Sequence, residues 1–419
     1  MPSSPTPGGV VHGASQPAPR SAWIDNLRTL VIVLVVNIHA CVTYSHVGGW
    51  YLKEAPEPTM PVKIAFIFWE GHLQAFFMGL LFFLAGVFAQ RSLAKRGPRA
   101  FIRERLIRLG VPSLLYMLLI HPFMVFVLLG HPHVPDRPSL PALYWRYLAS
   151  GSVFSGSGPM WFALALLAFC AVLAAGLGSS RREEALIRNQ RSEVGSQDPC
   201  CDQSLTSAAT VHRKAPSLSA LLGFSALLVI STFVVRLVQP VGTSVLNFQL
   251  CYFPQYIAAF VAGLAAGKHG WLESLVISRR SRVAGRLAII GGPLLLAAVV
   301  WLGGIPADGG FSQYQGGWHL QAFGLAFWEQ CTGLGLGLGV MSFFHRRVNS
   351  AGKLATWLSE RSFAVYALHA PVLVALTLAL GPASANAFVR VALLTVTGLA
   401  ASYVVADIVR RLPGARRIF

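Results

Sequence analysis

The stretch DNLRTLVIVLVVNIH, residues 25–39, opens on an acid and an arginine and closes on a histidine, with a nearly unbroken apolar run between them. The run continues to about residue 46, long enough for a helix to cross the hydrocarbon core of a bilayer. A helix turns about 100° per residue, so Arg28 and His39, eleven positions apart, share one face at about 16 Å along the axis. Asp25 lies one turn below Arg28 on that stripe, and His46 extends it if the helix persists. Ionisable groups are costly in lipid and tend to mark pathways or sites when they occur there. The residues alone leave two readings open. Asp25 and Arg28 can be an interfacial pair that sets orientation, with Arg28 snorkelling and His39 bonding a neighbouring helix. Or the stripe is a functional surface that points from one side of the membrane toward the other.

The rest of the chain has the same character. Of 419 residues, 54% are hydrophobic and 12% charged, against about 25% charged in an ordinary soluble protein. The mean hydropathy is +0.57. Ten apolar runs of helical length occur, at about 23–46, 62–90, 106–130, 159–178, 218–238, 248–267, 286–304, 321–344, 360–380 and 387–409. They lack strand-like alternation, so the fold class is all-α, a polytopic membrane protein of about ten transmembrane helices. The net charge of +18 would suit nucleic acid if it formed one patch. Instead the basic residues fall in short clusters between alternate spans. With both termini cytoplasmic, only Lys53, Lys63, Arg137, Arg146, Arg236 and Arg390 fall on the outer side, as the positive-inside rule requires.

The expected domain organisation is a disordered cytoplasmic tail over 1–22, one transmembrane domain over 23–410, and a basic cytoplasmic tail over 411–419. A polar cytoplasmic loop is expected at 179–217. No cleavable signal peptide is evident. The six cysteines show no zinc or disulfide spacing.

Other ionisable groups sit inside the spans. In FWEGHLQAFFMGLLFFLAGVF, residues 68–88, Glu70 and Gln74 share one face while His72 points the other way, in line with Gly79 and Gly86, a face suited to close helix packing. Glu70 is near the outer interface, where water can reach it. Arg105, Arg108 and Pro112 form one stripe entering the third span, either simple topogenic charge or an anion clamp. In ERSFAVYALHAPV, residues 360–372, Ser362, Tyr366 and His369 share a stripe. Glu329 lies about two turns inside the eighth span, protonated, paired or functional. Trp161 sits where an aromatic interface anchor is the default.

Taken together these segments resemble the acyltransferase type 3 integral membrane family. Arg28, ten residues and His39 look like its Arg-x10-His signature. FFLAGVF from Phe82, RERLIRLGVP from Arg103, MWFALALL from Met160 and SFAVYALHAPV from Ser362 resemble its other motifs, in order and over nearly the whole chain. Thr29 and Ala85 stand where many members carry Gly and Ser. The HLQAFF segment looks most like the branch that includes glucan biosynthesis protein C.

The resemblance implies a multi-pass enzyme of the bacterial inner membrane. It would move an acyl group such as acetyl or succinyl from cytoplasmic acyl-CoA to a hydroxyl of a carbohydrate-type acceptor, for example a cell-envelope glycan. It implies His39 as the catalytic base or transient acyl carrier, and Arg28, Arg105 and Arg108 on the CoA phosphates. Asp25, His72, Tyr366, His369 and Glu329 become supporting or acceptor-side residues. The implied partners are acyl-CoA, the hydroxyl acceptor and the bilayer, with no nucleic acid, no metal and no tightly bound cofactor. A small-molecule or lipid acceptor fits the same family. Physics alone also allows a proton-coupled carrier, although no inverted repeat or pair of broken helices is visible.

Overall fold

The structure, a computed structural model, describes residues 21–130, 138–176, 214–304, 311–381 and 385–419. Most of the expected N-terminal tail and of the polar loop at 179–217, with Cys200 and Cys201, lies outside these residues. Ten long helices account for the body: α1 Ala22–Ser45, α2 Met60–Arg96, α3 Pro98–Leu128, α4 Gly158–Gly176, α5 Leu218–Arg236, α6 Leu250–His269, α7 Arg279–Gly303, α8 Leu320–Arg347, α9 Lys353–Leu380 and α10 Ala387–Arg411. Among the described residues, nine helices are apolar and long enough to cross a bilayer. The tenth, α8, is as long as the others, but Glu329, Gln330 and a run of glycines dilute its apolar character. Its position explains why that is tolerated: α8 packs against α1, α2, α5 and α7, so protein surrounds much of it.

Contacts between helix ends confirm the alternation expected from charge. On one face Trp23 N–H donates to Asn349 Oδ1 at 3.2 Å and Asn26 Nδ2 to the Val348 carbonyl at 2.8 Å. There too, Arg280 reaches the Pro216 carbonyl at 3.0 Å and Arg410 reaches that of Glu360. The start of α1 and the end of α10 therefore lie on the same, basic face. On the opposite face Arg390, at the start of α10, pairs with Glu54 at 3.9 Å, and Gln321 Nε2 donates to the Gly303 carbonyl at 3.1 Å. Side chains such as Leu119, Ile290, Leu294 and Val396 are left exposed on the outer surface of the bundle, where lipid suits them.

The second and third spans differ from the expected boundaries. Rather than a loop over 91–108, α2 runs on to Arg96 and α3 starts at Pro98, with Gly97 at φ 74° as the one-residue joint. That left-handed backbone favours glycine. The basic cluster consequently rides on two helix ends. Within α3, turns of π-helix cover Leu106–Gly110 and Tyr116–Ile120. Pro112 and Pro122 follow them by two residues. Proline cannot donate an N–H and its ring crowds the preceding turn, so a widened turn there lets α3 continue without a break.

Helices α2 and α6 approach most closely where both carry glycine. A Cβ on Gly86 would fall 2.2 Å from the Phe260 carbonyl oxygen, and one on Gly263 2.0 Å from that of Phe83. Small residues permit this backbone-to-backbone packing. Trp161 is an internal packing residue rather than an interface anchor. Its ring stacks on Tyr256 at 5.6 Å between centroids.

Candidate active site

The α1 stripe and the α9 stripe face each other. Thr29 Oγ1 and Ser362 Oγ are 3.1 Å apart, close to the basic face. Further along, His39 Nδ1 and His369 Nε2 are 2.9 Å apart, with the imidazoles nearly parallel at 4.9 Å. His369 is fully buried, and its Nδ1 lies 2.7 Å from the Tyr366 carbonyl.

These contacts set the tautomers. A carbonyl oxygen only accepts, so His369 carries its proton on Nδ1 and offers a lone pair at Nε2. With both rings neutral, His39 Nδ1–H donates to that lone pair, and His39 Nε2 is left as the unprotonated nitrogen. Packing holds the arrangement. Tyr366 itself is pinned, its hydroxyl donating to the Pro159 carbonyl at the start of α4.

The outer loop completes the constellation. α1 ends at Ser45, and His46 takes a left-handed backbone, φ 61°, so His46 leaves the stripe. Its Nε2–H donates to the Glu54 carbonyl at 2.8 Å, and Glu54 N–H donates to that of Thr43 at 2.9 Å. The folded-back loop lays Trp50 on His39, rings 4.0 Å apart and 13° from parallel. The neighbouring Tyr51 belongs to a hydroxyl cluster. Tyr116 donates to Tyr51 at 3.1 Å, and Tyr51 donates to His121 Nδ1 at 2.8 Å. Burial pushes the Tyr51 phenol up to about 12, against the opposing pull of the Tyr116 hydrogen bond, so it remains a neutral donor. Gly158, φ 47°, makes room: a Cβ there would fall 2.4 Å from the Tyr51 hydroxyl oxygen.

Below the histidine pair a cavity of about 970 Å³ is lined by Arg28, Arg105, Arg108, Arg361, Arg410, Arg411, Arg416 and Arg417 against only Glu104, Glu360 and Asp407. Its apolar wall is made by Ile32, Leu81, Leu84, Phe162, Leu166 and others, and it reaches Tyr366, one turn of α9 short of His369. Arg28 lies 3.7 Å from Asp25. Arg108 lies 3.5 Å from Glu104, which also pairs with Arg96. Arg361 is held by Asp407 Oδ1, 2.8 Å from Nε and 2.6 Å from Nη2, and lies over the Trp357 ring at 4.4 Å.

Arg28, Arg105 and Arg108 thus share one cavity, and His39, Tyr366 and His369 form one cluster at its inner end. Two of the other candidates lie elsewhere. His72 packs edge-on to Trp328 at 5.0 Å, with Nδ1 2.6 Å from the Phe68 carbonyl, among α2, α7 and α8. Glu329 is paired: Arg236 Nη2 donates to its Oε2 at 2.6 Å, and Gln330 donates to Oε1 at 3.0 Å. Arg236, expected at an outer helix end, is fully buried. Glu70 is buried rather than solvated, accepting from Ser45 Oγ at 2.8 Å. No group of three or more metal-ligating side chains occurs among the described residues.

Comparison with known families matches residues 21–407 to the acyltransferase domain of type 3 acyltransferases. The chain belongs to the acyltransferase type 3 family. No curated protein and no solved structure matches it. Family membership together with the helical bundle makes it a multi-pass membrane acyltransferase, and sets aside the carrier.

Within this acyltransferase, periodicity and motif point to Arg28, His39, Tyr366 and His369. Sequence reading passes over Trp50, Tyr51, Tyr116, His121, Arg361 and Asp407. Trp50 and Tyr51 lie in a loop without periodicity, and the others acquire meaning only from partners distant in sequence.

Proposed function

We propose that the protein transfers an acyl group from acyl-CoA, bound on the basic, cytoplasmic face, to a hydroxyl of a carbohydrate-type acceptor arriving from the outer side. The host membrane in this reading is a bacterial inner membrane, and no tightly bound cofactor takes part. The observation that carries the reading is the His39–His369 pair at the inner end of an arginine-lined cavity. A hydroxyl is a poor nucleophile until a base removes its proton, and His39 Nε2 is the nitrogen left with a lone pair. As the acceptor oxygen bonds to the thioester carbonyl carbon, His39 Nε2 takes the hydroxyl proton. The C–S bond then breaks, and the proton passes from Nε2 to the departing sulfur. His369 acts through His39: its lone pair holds Nδ1–H and stabilises the imidazolium while the proton is in transit.

Arg28, Arg105 and Arg108 suit the CoA phosphates, since guanidinium and phosphate form paired, charge-assisted hydrogen bonds. The about 16 Å of helix between Arg28 and His39 leaves room for an extended pantetheine arm. The excess of arginine over carboxylate around the cavity supports an anionic donor. Trp50 and Tyr51 supply an aromatic, hydroxyl-bearing surface on the acceptor side, the kind of surface that suits a sugar. The finer branch, with a glucan or another envelope polysaccharide as acceptor and acetyl or succinyl as the group moved, belongs to the same proposal.

The test is thioester consumption by the purified protein with labelled acyl-CoA, together with mass spectrometry of envelope glycans from cells with and without it. His39→Ala should lower the transfer rate by about 10²–10⁴-fold, the range for loss of a positioned base. Near-normal transfer by that variant would sink the role of His39, and glycans unchanged by loss of the protein would redirect the acceptor to a lipid or small molecule.

A further inference from the structure

The segment after the last span returns to the cavity. α10 ends at Arg411, Gly414 turns the chain at φ 79°, and a short turn follows over Ala415–Arg417. Ala415 is buried, and the Phe419 ring packs on Phe363 of α9 at 6.0 Å. These two anchors hold Arg416 and Arg417 at the cavity wall. The other arginines near them have partners: Arg361 and Arg411 share Asp407, and Arg410 donates to the Glu360 carbonyl. Arg416 and Arg417 have no ion pair or hydrogen bond to another side chain among the described residues. Two unpaired guanidinium groups fixed beside a cavity form a site for a dianion.

The acyl-CoA reading already places three arginines on the donor, and this inference rests on it. CoA carries phosphate at two separated positions, the pyrophosphate that joins the pantetheine arm and the 3′-phosphate on the ribose. Arg28, Arg105 and Arg108 come from α1 and α3, while Arg416 and Arg417 come from beyond α10, so the cavity offers two cation sets on different elements. We propose that Arg416 and Arg417 bind the 3′-phosphate of the donor, leaving the pyrophosphate to the α1 and α3 arginines. The segment 412–419 is then part of the donor site, beyond its contribution to membrane orientation.

The experiment compares acyl-CoA with acyl-3′-dephospho-CoA as donors for the full-length protein in detergent, reading KM and kcat separately. The wild type should favour acyl-CoA by about tenfold or more in KM, corresponding to about 1.4 kcal/mol or more. R416A/R417A should raise the KM for acyl-CoA to that of the dephospho donor, leave the dephospho KM unchanged, and change kcat less than KM. R105A/R108A should raise KM for both donors and keep their ratio. R416K/R417K keeps the charges without the planar fork and should restore part of the preference. A wild type that turns over both donors with equal KM overturns the assignment while the acyl-CoA reading stands. So does an R416A/R417A variant that keeps the wild-type preference, including one that loses only binding to vesicles of anionic lipid. A wild type that consumes neither thioester overturns both.

Discussion

The protein buries two polar pairs between transmembrane helices, and they are built to opposite ends. Arg236 and Glu329 join α5 to α8 as a charged pair, 0% and 6% exposed at the side chain, with Gln330 and the Tyr252 ring, 5.4 Å from the guanidinium, closing the surroundings. His39 and His369 join α1 to α9 as neutral rings, next to a cavity and under a loop tryptophan. In the first pair each charge answers the other. In the second, the hydrogen-bond chain runs in one direction and ends on a nitrogen with nothing left to bond. An intramembrane ionisable residue is therefore no guarantee of an active site. What marks one here is an unused lone pair next to an opening.

Perturbing each pair should separate the two roles. The largest structural loss is expected from Arg236→Ala, which leaves Glu329 as an unpaired buried charge, a change that costs about 3–5 kcal/mol. It should appear as a lower unfolding midpoint in detergent, and Arg236→Met with Glu329→Leu should recover most of it. If Arg236→Ala unfolds like the wild type, the pair is not a structural tie. His369→Ala should do the reverse. Its unfolding midpoint stays closer to the wild type than that of Arg236→Ala, while kcat falls about 10–100-fold, or about 1.4–2.7 kcal/mol in the barrier. The activity that remains should have an altered pH profile, because His39 has lost the partner that fixes its tautomer. His369→Gln, able to accept from His39 Nδ1–H, should recover part of the rate. An unchanged pH profile in both variants would leave His369 a packing residue. Gly86→Ala should cost about 1–3 kcal/mol by overpacking, since the new methyl meets backbone of α6. It should lower stability with no specific effect on donor KM.

The fold was legible in the sequence because lipid imposes a simple rule: spans must be apolar, and Arg and Lys crowd the connections on one side. Even so, α8 shows how the rule weakens inside a bundle. Its glycines and Glu329 dilute the apolar signal, yet its neighbours shelter it. The site was half legible. Arg28 and His39 share a helix, and so do Tyr366 and His369, and within a helix the period of 3.6 converts spacing into geometry. The pairing of His39 with His369 spans 330 positions and that of Arg236 with Glu329 spans 93, and no local period reports such distances. Trp50 reached His39 because a left-handed turn at His46 folds the loop inward. Sequence gives no sign of that turn, since His46 fits a continued helix equally well.

The two widened turns of α3 also limit how this helix can change its length. A widened turn holds one more residue than the α-helix would use to climb the same distance. Removing a single residue from 106–110 would let the helix close to its ordinary pitch and rotate everything beyond it by about 100°. Arg105 would stay at the cavity. Tyr116 and His121 would swing away from Tyr51 toward lipid, and the outer cluster would lose two members to a lesion well outside it. Along α3, inserted or deleted residues are therefore angular changes first and changes of length second, and the helix should accept substitutions far more readily than gaps.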